Sequence, residues 1–395
     1  MRPRFSLVYP TRHRPAFLAE ALSALELQTG RDFEVIVSDN FIDPAQSCET
    51  ICSEASSLNL KYVRPPEPVG MVANWNYAAQ HATGDYVALF TDKMLLLPDA
   101  LARVSRVLDS GIPAMEQPDI ISWVSDGYKP SRYPGYFGGG VYTAVQADSA
   151  SNGPAHVYRP IDALNEKGNG LRSRYEQSPS QYCRGKIVFG AYHRSLIERI
   201  KQAHGQLFHD ISPDYTSMIL GLSIAQSAVE LKSSAVVSIT TDVSNGMLGS
   251  IHDQHALGYL RSLAENPEAL FRNMLVPGMY AAQHNVVSHD YLSLKNQFNL
   301  DFTFNTLNWL VYCIEDLSKS DRVWSSAAIE QAQMQLMYSF MGSLSADKQN
   351  EVVNRLESRL ADRNAGRSVP TAAGQILTWN SPSLRQAMQR RSSWS

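Results

Sequence analysis

The stretch GDYVALFTDKMLLLPDAL (84–101) places one acid, Asp92, and one lysine, Lys93, in a loop between an apolar, β-prone run and a helix start. A carboxylate there could help hold a hard divalent ion, which takes oxygen ligands from protein, phosphate and water. The lysine ammonium could instead neutralise phosphate charge directly. A second acid, Asp39, closes the apolar run FEVIVSDN (33–40), where it could accept hydrogen bonds from a ligand or cap a turn. Two more, Asp210 and Asp214, lie in HDISPDYTSM. Asp214 follows Pro213 in the first turn of a helix, where the dipole favours the ionised form, and that form can take a proton. Further on, TTDVSNGMLGSIHDQH offers Ser244, Asn245 and Gly246, whose backbone N–H groups suit an anion. His252 and His255 follow, as ligands or as ordinary surface or core histidines.

The elements that must position these residues alternate. FSLVYP (5–10), FEVIVSDN, LKYVRP and DYVALF read as strands. Between them, PAFLAEALSALELQTG carries apolar residues at helical spacing with Gly30 as a stop, and DPAQSCETICSEASSL reads as one helix with Asp43 as N-cap and Pro44 at N1. GMVANWNYAAQHATG is a third helix, with Asn74 off its apolar stripe. PDALARVSRVL is a helix and DIISWVS (119–125) a strand. This alternation predicts a mostly parallel sheet flanked by helices, with ligands outside the carboxyl ends of its strands. The segments YPTRHR, VSDN and FTDKM converge there.

Residues 127–180 are rich in Gly, Pro, Ser and Tyr and read as an irregular insertion, whose aromatic rings either stack on sugars or pack on the core as a hairpin. KIVFGAYHRSLIERI returns to strand then helix, and AVVSITT is a last strand. The expected organisation is an α/β domain over 1–252, with halves at about 1–125 and 126–252, a helical domain over 253–362, and a polar, irregular tail over 363–395.

Four places, in order, resemble the family 2 glycosyltransferases, inverting nucleotide-sugar-dependent enzymes of GT-A fold. They are YPTRHRPAFLAEALSALELQT, FEVIVSDN, GMVANWNYAAQHATGDYVALF and TDKMLLLPDAL. The resemblance spans about residues 4–250 and implies a Rossmann-like GT-A domain that moves a sugar from a nucleotide-diphosphate donor to a saccharide or lipid-linked saccharide. It implies that Pro10, Thr11 and Arg14 line the nucleotide pocket, that Asp39 accepts from the base or ribose, and that Asn74 faces the donor. Where the family carries Asp-x-Asp, this chain has Thr91, Asp92 and Lys93. Asp92, with His252 as a further ligand, would then hold Mn²⁺ or Mg²⁺, or Lys93 would stand in for the metal and stabilise the leaving diphosphate. Asp214, with Asp210 as the alternative, would be the catalytic base. The helical domain would complete the acceptor side or make a dimer.

Composition narrows the rest. The chain has 395 residues, 44% hydrophobic and 18% charged, with a net charge of -3, which argues against broad nucleic-acid binding. The four cysteines form no zinc-type pairs, and Cys48 and Cys52 read as core. The start MRPRFSLVYPTRHRP does not read as a signal peptide, and no stretch approaches the roughly 20 apolar residues of a membrane span. The expectation is a cytoplasmic protein with at most peripheral membrane contact. The broken acidic motif keeps a second reading open, an inactive GT-A domain that binds glycan or acts as a scaffold. A sugar-1-phosphate nucleotidyltransferase is disfavoured, because YPTRHRP lacks the glycine-rich loop of those enzymes.

Overall fold

The computed structural model describes residues 2–110, 117–145, 155–170, 179–242, 244–263, 267–364 and 376–392. Strands β1 (Phe5–Thr11), β2 (Phe33–Asp39), β3 (Leu60–Val63) and β4 (Tyr86–Leu89) are parallel, with β1 between β2 and β4. They are joined by helices α1 (Pro15–Glu26), α2 (Glu49–Glu54) and α3 (Met71–Ala79). Every residue of β1 is buried, as expected for a central strand covered on both faces. α1 turns Phe17, Leu18, Ala21, Leu22 and Leu25 inward, the stripe its spacing predicts. Gly84, ahead of β4, admits no side chain: a Cβ there would lie 2.7 Å from the Ser6 backbone nitrogen.

The chain continues through β5 (Met94–Leu96), α4 (Ala100–Asp109), β6 (Ile120–Ser122), β7 (Ser125–Pro130), β8 (Gly140–Val145), β9 (Ala155–Tyr158), α5 (Pro160–Gly168) and α6 (Pro179–Cys183). β10 (Gly190–His193), α7 (Arg194–His204), α8 (Pro213–Ile224), β11 (Ala228–Leu231) and β12 (Val236–Ile239) follow. The first sheet has the order β3-β2-β1-β4-β10-β6-β11-β9, in which β10 and β9 run antiparallel to their neighbours. Since β2 and β3 lie to one side of β1 and β4 to the other, the strand order reverses at β1, and a crevice opens outside the carboxyl ends there. A second sheet has the order β13 (Ile376–Ser381), β8, β7, β12 and β5.

The remaining chain is almost wholly helical: α9 (Asn245–Ile251), α10 (Asp253–Leu263), α11 (Glu268–Arg272), α12 (Gln283–Phe298), α13 (Thr306–Leu317), α14 (Ala327–Gly342) and α15 (Ala346–Asn364). One hydrophobic cluster runs from the first sheet through α8 into Tyr291, Leu294, Trp309 and Leu310. No described helix is long and apolar enough to cross a membrane. The four cysteines are free and buried.

Several local expectations are corrected. Residues 43–58 form a 3₁₀ turn over Pro44–Gln46 and then α2 rather than one helix. Asp43 does cap, accepting from Ala45 N, but Ser47 is extended and Cys48 N–H turns instead to Asp39. Where it is described, the insertion takes the second of its two readings: β7 and β8 form an antiparallel hairpin that buries Tyr128 and Tyr142 on the core. Residues 146–154 and 171–178 of it lie outside the described residues. The described part of the tail, 376–392, is regular and strapped on. β13 (Ile376–Ser381) pairs with β8, and α16 (Leu384–Ser392) brings Arg391 Nε to 3.0 Å from the fully buried Asp126.

Candidate functional site

Thr11 and Asp39 end neighbouring parallel strands in register, so both meet at the crevice. Pro10 is tolerated in β1 because β4 stops at Leu89, opposite Val8, leaving no ladder partner on that side. Asp39 is fully buried. Its Oδ2 accepts from Cys48 N at 2.6 Å and from the Tyr62 hydroxyl at 3.0 Å. Its Oδ1 has no hydrogen-bond partner although buried. Burial raises the pKa of this carboxyl, opposed by the Cys48 N–H, Tyr62, Arg64 and His13. The acid is therefore both a turn cap and a carboxylate with one unused acceptor.

Residues not singled out from the sequence complete this corner. His13 takes a positive φ of 56° and its Nε2 accepts from Ile42 N at 2.8 Å, tying the loop after β1 to the loop after β2. Arg64 lies over the Phe41 ring, 3.7 Å from its centroid. Asn40 clasps the backbone of Val69 with both amide atoms, at 2.8 and 3.0 Å. The HR pair of YPTRHR was a signal for His13; nothing local in LKYVRP marked Tyr62 or Arg64.

Asn74 is buried rather than turned to solvent, and its Oδ1 accepts from Ser38 Oγ at 2.7 Å. It braces the end of β2 beside Asp39. Asp92 is also buried, and it accepts from Thr11 Oγ1 at 3.2 Å and from Arg14 Nη1 at 3.2 Å. Desolvation raises its pKa, while Arg14, Thr11 and the charge of Lys93 lower it. Lys93 is half-buried, and its carbonyl accepts from Ile239 N at 3.0 Å, pinning the short loop to β12. The run after this loop is not directly helical as expected: β5 begins at Met94, which fixes the loop between the two sheets.

The tip of the β7–β8 hairpin overhangs this charge cluster. The Tyr136 hydroxyl donates to Asp242 at 2.7 Å, and its ring lies 4.7 Å from that of Phe17 on α1. Arg14 is close enough to Tyr136 to lower its pKa against the raising effect of Asp242. Tyr133 is 38% exposed beside it.

Asp214 and Asp210 sit at the entry to α8. Asp214 occupies the first turn, with 29% of its side chain exposed, and its Oδ2 lies 3.6 Å from Lys186 Nζ. Asp210 is exposed on the preceding loop, with its pKa raised by desolvation. That loop is held by Asp290 of α12, which accepts from Ile211 N at 2.5 Å and Ser212 N at 3.2 Å.

His252 lies elsewhere. It makes an isolated bridge with Val323 and lines a cavity of about 430 Å³ with Leu248, Asp253, His255, Val323 and Ser325. None of these residues belongs to the Thr11–Asp39–Asp92 cluster, so His252 and Asp92 are not brought together. Ser244 and Gly246 open α9, and the Asn245 side chain lies outside the described residues.

Residues 6–153 match the family model described as glycosyl transferase family 2. The matched region is similar to that family and takes in β1 to β8, the part of the chain that builds the crevice. Among solved structures, S. aureus TarS 1-349 in complex with UDP-GlcNAc is similar at 14% identity and a TM-score of 0.44, covering 92% of each chain. A longer S. aureus TarS structure is similar at 15% identity and a TM-score of 0.42; the match takes 90% of this chain but only 55% of that one. The mannosyltransferase PcManGT from Pyrobaculum calidifontis, in complex with GDP-Man and Mn²⁺, is similar at 15% identity and a TM-score of 0.42, over 93% of this chain and 87% of that one. No curated protein matches the sequence.

A divalent ion fits poorly at this cluster. The Asp-x-Asp position keeps one carboxylate, and both its oxygens are engaged by Thr11 and Arg14. Among the described residues, no three His, Cys, Asp or Glu side chains converge as a metal site.

Proposed function

We propose that the protein transfers a sugar from a nucleotide-diphosphate donor to a hydroxyl of a glycan or lipid-linked saccharide, with inversion and with protein cations in the place of a metal. The observation that carries this is the buried Asp39 with its unpartnered Oδ1, at the carboxyl end of β2 beside Thr11 and Arg14. A buried acceptor left unsatisfied is expensive, and a base N–H or a ribose hydroxyl would satisfy it. Arg14 and Lys93 supply positive charge beside Asp92, where the pyrophosphate would lie.

In this reading Asp214 takes the proton of the acceptor hydroxyl. The oxygen then attacks the anomeric carbon as the bond to the diphosphate breaks, and Arg14 and Lys93 stabilise the departing charge. Tyr133 and Tyr136 would flank the sugar end of the crevice. No step is assigned to a metal.

Calorimetric titration with UDP, dTDP and GDP in EDTA tests the binding half. Assay of the Asp214→Asn variant tests the chemistry: transfer should fall by about 10³-fold or more with nucleotide affinity unchanged. Nucleotide binding without turnover by the wild type, across acceptor classes, would favour the inactive glycan-binding reading instead.

A further inference from the structure

We propose that Lys186 is a positioning residue for Asp214: its buried ammonium pairs with Oδ2 and fixes the orientation of the carboxylate. The inference rests on the reading of Asp214 as the base. Lys186 was not distinguished in CRGKIVFG, where it reads as one more charged residue. In the fold it is 2% exposed, with its ammonium 3.6 Å from Asp214. The same ammonium lies 4.2 Å from the centroid of the Tyr182 ring and 3.8 Å from that of Tyr215. Two aromatic faces and one carboxylate around a desolvated cation keep it charged, since cation–π attraction strengthens when water is excluded.

The two partners are held by stiff backbone. Lys186 N–H donates to Cys183 O at 3.1 Å, and its carbonyl accepts from Phe189 N at 2.9 Å. The preceding Gly185 has a φ of +77°, and a Cβ there would meet Leu222 of α8 at 2.6 Å, so the turn is pressed onto that helix. The hydroxyl of the fully buried Tyr192 lies 2.5 Å from Gly185 O and 3.0 Å from Ser217 O, stapling the lysine's turn to the helix that carries Asp214. The ion pair uses Oδ2, and 29% of the Asp214 side chain stays exposed.

Other charged and titratable groups crowd this end. Asp210 lies on the loop before α8, and Asp290 on α12, with His289 beside it at 3.3 Å. Tyr259 of α10 and Tyr291 of α12 face Asp214 as neutral phenols, since burial pushes both pKa values up. Lys167 on α5 repels Lys186 and donates its own ammonium to Gln181 O at 2.6 Å rather than to Asp214.

The test is a carboxyl-carbon NMR titration of the full chain labelled at aspartate, with the Asp214 and Asp210 resonances assigned by their loss in Asp214→Asn and Asp210→Asn. In Lys186→Met the Asp214 midpoint should rise by about one unit or more, because an ammonium at ion-pair distance favours the charged form. Lys186→Arg should restore most of the shift. Nucleotide affinity should stay within about twofold, while turnover falls by about 10- to 100-fold from misplacement of the base. An unmoved midpoint in folded Lys186→Met overturns the proposal. If that variant does not fold, Lys186→Gln is titrated in its place, with the same two outcomes. Full transfer by Asp214→Asn would sink the base assignment itself, without touching the titration result.

Discussion

Arg14 Nη1 lies 3.2 Å from Asp92 Oδ1, so the acid left in the shortened motif is neutralised by the loop that follows β1. The pair joins two places that are 78 residues apart in the chain and spends the one carboxylate that a metal would need. Arg14 is held for this at the N-cap position of α1, ahead of Pro15.

Replacing Arg14 with Met should leave Asp92 buried and without its cation. We expect a loss of about 1–3 kcal/mol of stability, at the low end of values for broken buried pairs because Arg14 is 29% exposed. Burial already places the Asp92 pKa above its unfolded value, and removing Arg14 raises it further. The native state of the variant then binds more protons than the unfolded one, so its stability should fall as pH rises through and beyond the usual aspartate range. Urea melts at pH 5 and pH 8 check this: the deficit against wild type should be larger at pH 8, and an equal deficit would count against the pair.

Lys93 is expected to do the work of a cation on the diphosphate. Lys93→Met should weaken binding of a nucleoside diphosphate by about 1.5–3 kcal/mol, the range for a hydrogen bond to a charged group. EDTA should leave wild-type binding unchanged. A requirement for Mn²⁺ in the wild type would return the role to Asp92.

At Asp39, the Asn substitution keeps the shape but weakens the acceptor. Nucleotide affinity should drop about tenfold or more, since a charge-assisted hydrogen bond becomes a neutral one. Because Oδ2 also caps Cys48 N, a melting curve must accompany the titration. Unchanged affinity would take Asp39 out of the pocket.

Arg391 reaches Asp126 from the last helix, and both are buried. Arg391→Met should destabilise by about 3 kcal/mol, as when one partner of a buried pair is removed. The Tyr142 hydroxyl and Val145 N–H remain on Asp126 and keep the loss from being larger. A loss under about 1 kcal/mol, read by urea denaturation, would mean the tail adds little to the second sheet.

The parallel strands β1, β2 and β4 with α1 and α3 were legible in the sequence because each is a run of one period, long enough to bury one face. The convergence of Thr11, Asp39 and Asp92 followed from that, since strand ends in such a sheet share one edge. The β7–β8 hairpin was one of two open readings, because a glycine- and tyrosine-rich segment carries no clear period, and the pairing of β13 with β8 was not legible because the two lie far apart in the chain. Helix 43–58 was broken by a competitor that no local rule names, the Asp39 carboxylate taking Cys48 N–H.

By itself, then, the sequence determined the α/β alternation, the family likeness and the acids that crowd one edge of the sheet, because residue type and spacing are local properties. Tertiary structure alone decided how those acids are used. It gave Arg14 to Asp92, Lys186 to Asp214, and left one oxygen of Asp39 unpartnered. Charge pairing and burial depend on which distant segments pack together, and packing is settled only when the whole chain closes.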